Sequence, residues 1–388
     1  MADRGGSGQD GTARDGSTRT AIVLMNLGGP DRPEAVRPFL FNLFSDPAIL
    51  RLPALLRRPL AWLIARRRAP VAREIYGQIG GRSPILPLTE AQAGALQREL
   101  GGDEGEESLR CFIAMRYWHP RAAETAAAVR DWGADRVLLL PLYPQFSTTT
   151  SASSVAEWQR AAARAGLTAP TRALCCYPDL PGFVAAQAES VVEAVRALEA
   201  EAPAGAGKRR PVRLLFSAHG LPKRIVEGGD PYQWQVEVTA AALAEAVSDS
   251  LPERVPLDWS VCYQSRVGPL EWIGPSTDTE VERAGADGVA LVVVPIAFVS
   301  EHSETLVELD IEYAELAKRV GVPGYRRVPA VGTAAAFIDS LAGLAAAELE
   351  LLGSAGQAVG GEGRIGRAAG RLCPADASGC PCGSMIGS

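Results

Sequence analysis

The chain has 388 residues, 47% of them hydrophobic and 22% charged, and a formal net charge of −6. That length exceeds the roughly 250–300 residues at which a single core stops growing, so two lobes are expected. The mildly acidic balance excludes general nucleic-acid binding, which needs a basic face interleaved with aromatics, but excludes no small-molecule chemistry.

Residues 1–19 are rich in Gly, Asp and Arg and hold no apolar core. They are predicted to be disordered, and to be neither a signal peptide nor a membrane span. No later apolar run reaches the roughly 18–20 residues that a span needs, so the expected compartment is the cytoplasm. Seven cysteines without a secretory signal point to reduced thiols or metal ligands, not a disulfide framework.

Strand-like apolar runs fall at Thr20–Leu27, Leu109–Trp118, Asp135–Phe146 and Thr171–Tyr177, then at Val212–Ala218, Leu257–Tyr263, Gly288–Val299 and Gly324–Val331. Helical patterns lie between most of them. Thr89–Leu100 opens with a capping-box pattern, Thr89 with Gln92, and another helix is expected over Glu237–Leu251. Alternating strand and helix predicts an α/β fold of parallel sheets flanked by helices, and the repetition predicts two similar lobes meeting at a cleft. The expected division is an N-terminal lobe over 20–196 and a C-terminal lobe over 197–352, with the boundary in the loose stretch Ala197–Arg210. Beyond a last helix, Thr333–Leu352, the Gly/Ala-rich tail 353–388 is expected to be disordered or loosely docked.

One insertion interrupts the alternation. Phe39–Pro70 is dense in Leu, Phe and Trp, is punctuated by proline and ends in an arginine cluster. It reads either as an ordinary core-packing helical subunit or as an apolar lip with a basic rim, suited to an apolar ligand and an anionic membrane surface. Pro47, Pro53 and Pro59 argue against a single long helix.

The strand exits are rich in Gly, Pro and hydroxyl residues. MNLGGP (Met25–Pro30) ends the first run with two glycines that permit close backbone approach. IGGRSP (Ile79–Pro84), MRYWHP (Met115–Pro120) and YPQFSTTTSASS (Tyr143–Ser154) are candidate walls of one cleft. FSAHGLP (Phe216–Pro222) places His219 where a buried strand breaks, and open α/β sheets keep their ligands at carboxyl ends of strands. Alone, such a histidine is more often structural than catalytic. Downstream, Gly268-Pro269 and Gly274-Pro275 enclose Trp272, an indole able to stack on a flat aromatic ligand, although a lone Trp is usually core.

Ser300–Tyr313, SEHSETLVELDIEY, follows the next core strand. His302 and Glu304 stand at the junction, and Glu304, Glu308 and Glu312 share one helical face. An acidic stripe is normally a solvated face; here it begins beside a histidine at a strand exit, where carboxylates can hold or conduct a divalent cation or protons. No HExxH and no zinc-finger cysteine spacing is present. GEGRIG (Gly361–Gly366) matches GxGxxG but follows no predicted strand, so it is discarded as a dinucleotide signal. Cys373, Cys380 and Cys382 crowd the tail, and adjacent Cys175 and Cys176 end a first-lobe run.

MNLGGP, IGGRSP, YPQFSTTT, FSAHGLP, GPLEWIGPSTD and SEHSETLVELDIEY occur in the order and spacing of the ferrochelatases, the terminal enzymes of haem synthesis. Over about Ala21–Val331 the chain resembles that family in its bacterial form. The resemblance implies a lyase of two Rossmann-like lobes that inserts Fe²⁺, as substrate, into a porphyrin held in the cleft. It implies His219 as base, and His219, His302, Glu304 and Glu308 on the metal side, the acids lying on a helix with a π-type turn. Leu27 and Trp272 would pack on the macrocycle, with Tyr76, Arg82 and Tyr143 at its rim or propionates. The insertion matches the family's apolar lip, which implies peripheral contact with the cytoplasmic membrane.

Some members also carry a [2Fe-2S] cluster on a C-terminal extension. Cys373, Cys380 and Cys382 would be three ligands here, and Cys175 or Cys176 a fourth, since the animal fourth ligand falls at Thr148. Protoporphyrin is the preferred substrate by resemblance. Two other readings stay open: a chelatase for another tetrapyrrole, with coproporphyrin III, cobalt or nickel, and a non-catalytic haem-binding carrier.

Overall fold

In the computed structural model, which describes residues 18–102, 108–201, 211–251, 257–266, 270–354 and 364–384, each apolar run contains a β-strand. The expected disorder at the N-terminus and most of the expected lobe boundary lie outside those residues. The first half runs β1 (Thr20–Asn26), α1 (Val36–Phe44), α2 (Ala54–Gly77), α3 (Ile85–Glu99), β2 (Leu109–Met115), α4 (Ala122–Trp132) and β3 (Arg136–Pro141). It continues with α5 (Ser151–Ala165), β4 (Thr171–Leu174) and α6 (Pro181–Ala200). The second half runs β5 (Val212–His219), α7 (Lys223–Glu227), α8 (Tyr232–Ser250), β6 (Leu257–Gln264), α9 (Thr277–Asp287) and β7 (Ala290–Pro295). A π helix (Glu304–Glu312), α10 (Tyr313–Arg319), β8 (Tyr325–Arg327), α11 (Ala335–Ser354) and β9 (Arg364–Gly366) complete it.

Two parallel sheets result, ordered β2-β1-β3-β4-β9 and β6-β5-β7-β8. In each, the first strand of the half lies between two others: Thr20 faces Leu109 and Arg136, and Val212 faces Leu257 and Ala290. β1 and β7 are buried along their whole length, as strands covered by helices on both faces must be. The α/β architecture of two helix-flanked parallel sheets is the expected one.

Two helices knit the sheets together. α6 contributes Phe183 and Ala186 to the core over β1 and β3, and Val191, Val195 and Leu198 to the core over β5 and β7. α11 follows the second sheet in sequence yet packs Phe337, Leu341 and Ala345 on the first. Gly182 makes that approach possible, because a Cβ there would lie 1.8 Å from the Ala336 carbonyl.

Three expectations are corrected, one of them only in part. The third helix begins at Ile85, not Thr89, and Thr89 and Gln92 are fully buried inside it. Thr89 Oγ1 accepts from Asn26 Nδ2 (3.0 Å), and Gln92 Nε2 donates to Val299 O (2.8 Å) and Gly332 O (2.9 Å), so tertiary partners replace the cap.

The insertion is not a single long helix, as expected: it breaks between α1 and α2, where Pro47 and Pro53 lie, but Pro59 does not break it further. α2 runs unbroken through Pro59 and Pro70, with Pro53 as its N-cap. Each internal proline removes a helical hydrogen bond at a cost of about 3 kcal/mol or more. The compensation is a buried stripe, Ala61, Ala65, Ala69 and Tyr76, whose last three members share a core with Phe39 and Leu40 of α1. Asp46 anchors the turn between the two helices, accepting from Arg116 Nη2 (2.6 Å) and the Tyr117 hydroxyl (2.7 Å).

The tail is docked over residues 364–384. β9 pairs Arg364–Gly366 with Arg172–Leu174, which makes the last three residues of the discarded GEGRIG a sheet-edge strand. Glu348, fully buried, accepts from the Ala368 amide and pairs with Arg172, and the Gly379 amide donates to Gly229 O (2.9 Å).

Candidate active site

The carboxyl ends of β5, β6 and β7 open into a cleft of about 930 Å³ that the first sheet and the α1–α2 lip close from the other side. That volume suits a sizeable ligand. Phe44, Ile75, Leu221 and Phe298 supply much of its apolar wall.

β5 ends on His219, whose partner in register on β6 is Gln264. The Gly220 amide donates to Gln264 O (2.9 Å), and the Tyr232 hydroxyl donates to His219 O (3.0 Å). From the end of β7 the chain turns into the π helix, which brings Glu304 to the same strand ends. Nδ1 of His219 meets Glu304 Oε2 at 2.7 Å, so Nε2 is the ring nitrogen left for other work. Ser265 donates to the same Glu304 oxygen (3.0 Å) and contacts Glu308 Oε2 (2.7 Å).

The electrostatics follow from this packing. Burial alone would lower His219, but the Glu304 carboxylate, its hydrogen bond and Glu308 outweigh burial and raise it. Burial would raise Glu304, yet the facing His219 charge and hydrogen bond hold it down at about 2. Glu308 is pushed up to about 7 by burial and then by the neighbouring Glu304 charge. His302, buried with its ring 4.5 Å from that of Phe298, is lowered by burial, and its Nδ1 has no partner among the described residues. The arrangement offers a cation an imidazole and paired carboxylates, and offers a proton a basic nitrogen oriented by an acid.

The cleft gathers Leu27, Tyr76, Tyr143, His219, Trp272, His302, Glu304 and Glu308. Trp272 is held by a bridge to Pro222 and lies against Gly220, where a Cβ would come 3.3 Å from its ring. Tyr76 is raised to about 12 by burial. Arg82 is not brought in: it is exposed outside the cleft, and its neighbour Ser83 lines the wall instead. The cations lining the cleft are Arg51, Arg68, Arg224 and Arg266. Arg68 lies in the arginine cluster visible in the sequence; nothing local marks Arg224, Arg266 or Ser265.

Hydrogen bonds fasten the two sides of the cleft to each other. Gln145 Nε2 donates to Thr239 Oγ1 (2.9 Å) and Ile296 O (3.0 Å), and Thr148 donates to Asp230 through both its amide (2.7 Å) and its hydroxyl (2.6 Å).

Behind this wall the tail thiols converge on the first lobe. Cys175 lies in hydrogen-bonding contact with the thiols of Cys176, Cys380 and Cys382, and Cys373 with that of Cys380. Gln235 Nε2 donates to Cys373 Sγ (3.0 Å) and Cys176 Sγ (3.4 Å). The bond from Cys175 holds Cys380 well below the usual thiol range and Cys382 at about 6. Among the described residues, no group of three or more His, Cys, Asp or Glu is already arranged around a metal position.

The family model for ferrochelatase matches residues 19–349. A ferrochelatase of Phenylobacterium zucineum is 55% identical over 337 residues, spanning 87% of this chain and 93% of that one. One from Caulobacter vibrioides is 51% identical over 364 residues (94% and 97%), and one from Pelagibacter ubique 47% over 326 residues (84% and 90%). With the family's segments distributed along both sheets and converging on one cleft, the chain belongs to the ferrochelatase family.

Proposed function

We propose that the protein inserts ferrous iron into protoporphyrin IX, the last step of haem synthesis, with iron as substrate. The observation that carries this reading is the His219–Glu304 pair, flanked by Glu308, at the strand ends of a porphyrin-sized apolar cleft. A free porphyrin carries two pyrrole N–H protons inside a planar ring, so the ring must buckle and lose them before a metal enters. Contacts distributed over the macrocycle, Leu27 and Trp272 among them, supply roughly 1–5 kcal/mol of distortion. His219 accepts protons at Nε2, while Glu304 fixes the ring through Nδ1 and stabilises the imidazolium that forms. Glu304, Glu308 and His302 receive the cation, and Arg68, Arg224 and Arg266 face the propionates. The test is an anaerobic Fe²⁺ insertion assay with protoporphyrin and coproporphyrin. Haem formation, faster from protoporphyrin, is expected; no insertion into either porphyrin overturns the proposal.

A second reading concerns the tail. The donor set suits a [2Fe-2S] cluster, which needs four thiolates. Cys175 contacts two tail thiols, Cys380 and Cys382, and Cys380 in turn contacts Cys373, which favours Cys175 over its neighbour Cys176 as the first-lobe ligand. Thr148, at the position of the animal ligand, is already bonded to Asp230. When bound, the cluster would tie β4 to the tail.

The third concerns the surroundings. No helix among the described residues is long and apolar enough to cross a membrane. The lip exposes Leu55, Leu56, Trp62 and Val71 beside its arginines, which supports a cytoplasmic protein resting peripherally on an anionic membrane.

A further inference from the structure

Ser265 is the only non-glycine residue among the described residues with a left-handed φ, +60°. Glycine adopts that conformation freely and an L-residue does not, so a serine kept there needs a use for its side chain. The use is visible in its contacts. Its hydroxyl lies 3.0 Å from Glu304 Oε2 and 2.7 Å from Glu308 Oε2, and the preceding Gln264 donates to Glu304 O (3.0 Å) and Glu308 Oε2 (3.3 Å).

Two carboxylates in one buried corner repel each other and swing apart unless something between them attracts both. A bound cation does this during turnover. Before the cation arrives, the Ser265 hydroxyl lies between the two acids and gives its one proton to Glu304 while the Gln264 amide donates to Glu308, so each acid is held by a donor of this one corner. We propose that Ser265 is a positioning residue for metal capture, its strained backbone driving the hydroxyl between Glu304 and Glu308 so that the pair is already converged beside His219. The inference rests on the insertion activity proposed above and adds a residue that acts through Glu304 and Glu308.

The experiment compares Ser265→Ala, which keeps the backbone restriction and loses the hydroxyl, with Ser265→Gly, which loses both. Steady-state insertion of Zn²⁺ and of anaerobic Fe²⁺ into protoporphyrin is measured with each substrate varied, alongside melting temperature. Both variants are expected to raise the metal KM about tenfold, the equivalent of one charge-assisted hydrogen bond, with kcat and porphyrin KM within about twofold of the parent. The Gly variant, relieved of strain, is expected to melt no lower than the parent, which separates lost capture from lost folding. A parent-like metal KM in Ser265→Ala overturns the proposal, as does a fall in kcat at unchanged metal KM. Failure of the parent protein to insert either metal would instead strike the functional reading on which the inference rests.

Discussion

Nδ1 of His219 and Oε2 of Glu304 lie 2.7 Å apart although 85 residues separate them in the chain, the one ending a strand and the other beginning a π helix. Each shifts the other. His219 is raised above its ordinary 6.5 and Glu304 falls to about 2. A raised histidine stabilises the fold fully below its unfolded value and loses that contribution as pH rises through the folded one. A depressed carboxylate stabilises above its unfolded value of 4.5 and loses that contribution as pH falls through about 2. The pair therefore contributes most between about pH 4.5 and 6.5. In the metal-free protein, NMR of the imidazole protons is expected to show His219 titrating above the usual histidine range and His302 below it. Glu304→Gln should bring the His219 midpoint down; an unmoved midpoint would mean that the two groups do not interact in solution.

His219→Ala removes the proton acceptor without touching the apolar walls. Porphyrin binding, followed by fluorescence quenching, is expected to stay within a few-fold of the parent. Insertion of Fe²⁺ or Zn²⁺ should fall by at least about 100-fold, the lower end of what a positioned base contributes. Near-normal insertion would remove His219 from the role of base.

Strands buried on both faces write themselves into sequence as continuous apolar runs, which is why β1 to β8 were all visible there, and a histidine at the end of such a run already marks a ligand-bearing edge. What was not legible depends on partners far along the chain. Thr89 and Gln92 carry a local capping pattern, yet their side chains serve Asn26, Val299 and Gly332. Pro59 and Pro70 spell helix breaks, but an alanine stripe packing on α1 outweighs them. β9 is too short to read without the β4 edge on which it pairs. Ser265 is one serine among many until its φ and its two carboxylate neighbours are known.

Gln92 joins α3 to the far side of the cleft through Val299 O and Gly332 O, and accepts from Ser300 Oγ (2.9 Å). Gln92→Leu keeps the bulk and strands three polar groups, two of them buried, at about 1–3 kcal/mol for each left without water. A melting temperature lower by roughly 5 °C or more is expected, with a raised porphyrin KM as the cleft loses its fixed width. A parent-like melting curve would show that these bonds add nothing net.

The thiol contacts make the tail testable without activity. Purified protein is expected to retain visible absorbance and non-haem iron after porphyrin is removed, and both should vanish in Cys380→Ser and Cys175→Ser but persist in Cys176→Ser. Although β9 and the Gly379–Gly229 bond also hold the tail, loss of the cluster should loosen the stretch from Cys373 to Cys382 and raise its exposure to protease. A colourless, iron-free parent protein would end the cluster reading, and persistence in Cys175→Ser would move the fourth ligand elsewhere.

The lip faces outward with an unusual load of apolar surface. Leu55 is 89% and Leu56 62% exposed at the start of α2, beyond the residues that line the cleft. Arginines flank this surface and pack along its aromatics, Arg37 and Arg66 each 5.5 Å from the Trp62 ring and Arg58 5.7 Å from that of Phe41. Apolar side chains among cations fit an anionic bilayer, where the stems bury and the guanidinium groups meet phosphates. The same helix lines the cleft further along, through Val71, Ile75 and Tyr76, so an apolar porphyrin could pass from bilayer to site along one face. Co-sedimentation with vesicles containing phosphatidylserine is expected, weakening as salt shortens the reach of the charges, and little with phosphatidylcholine alone. Replacing Leu55 and Leu56 together by Ser should cut partitioning about tenfold, by lost apolar burial, while insertion measured in detergent-dispersed porphyrin stays unchanged. Equal sedimentation of parent and double variant would show that this surface is not what meets the membrane.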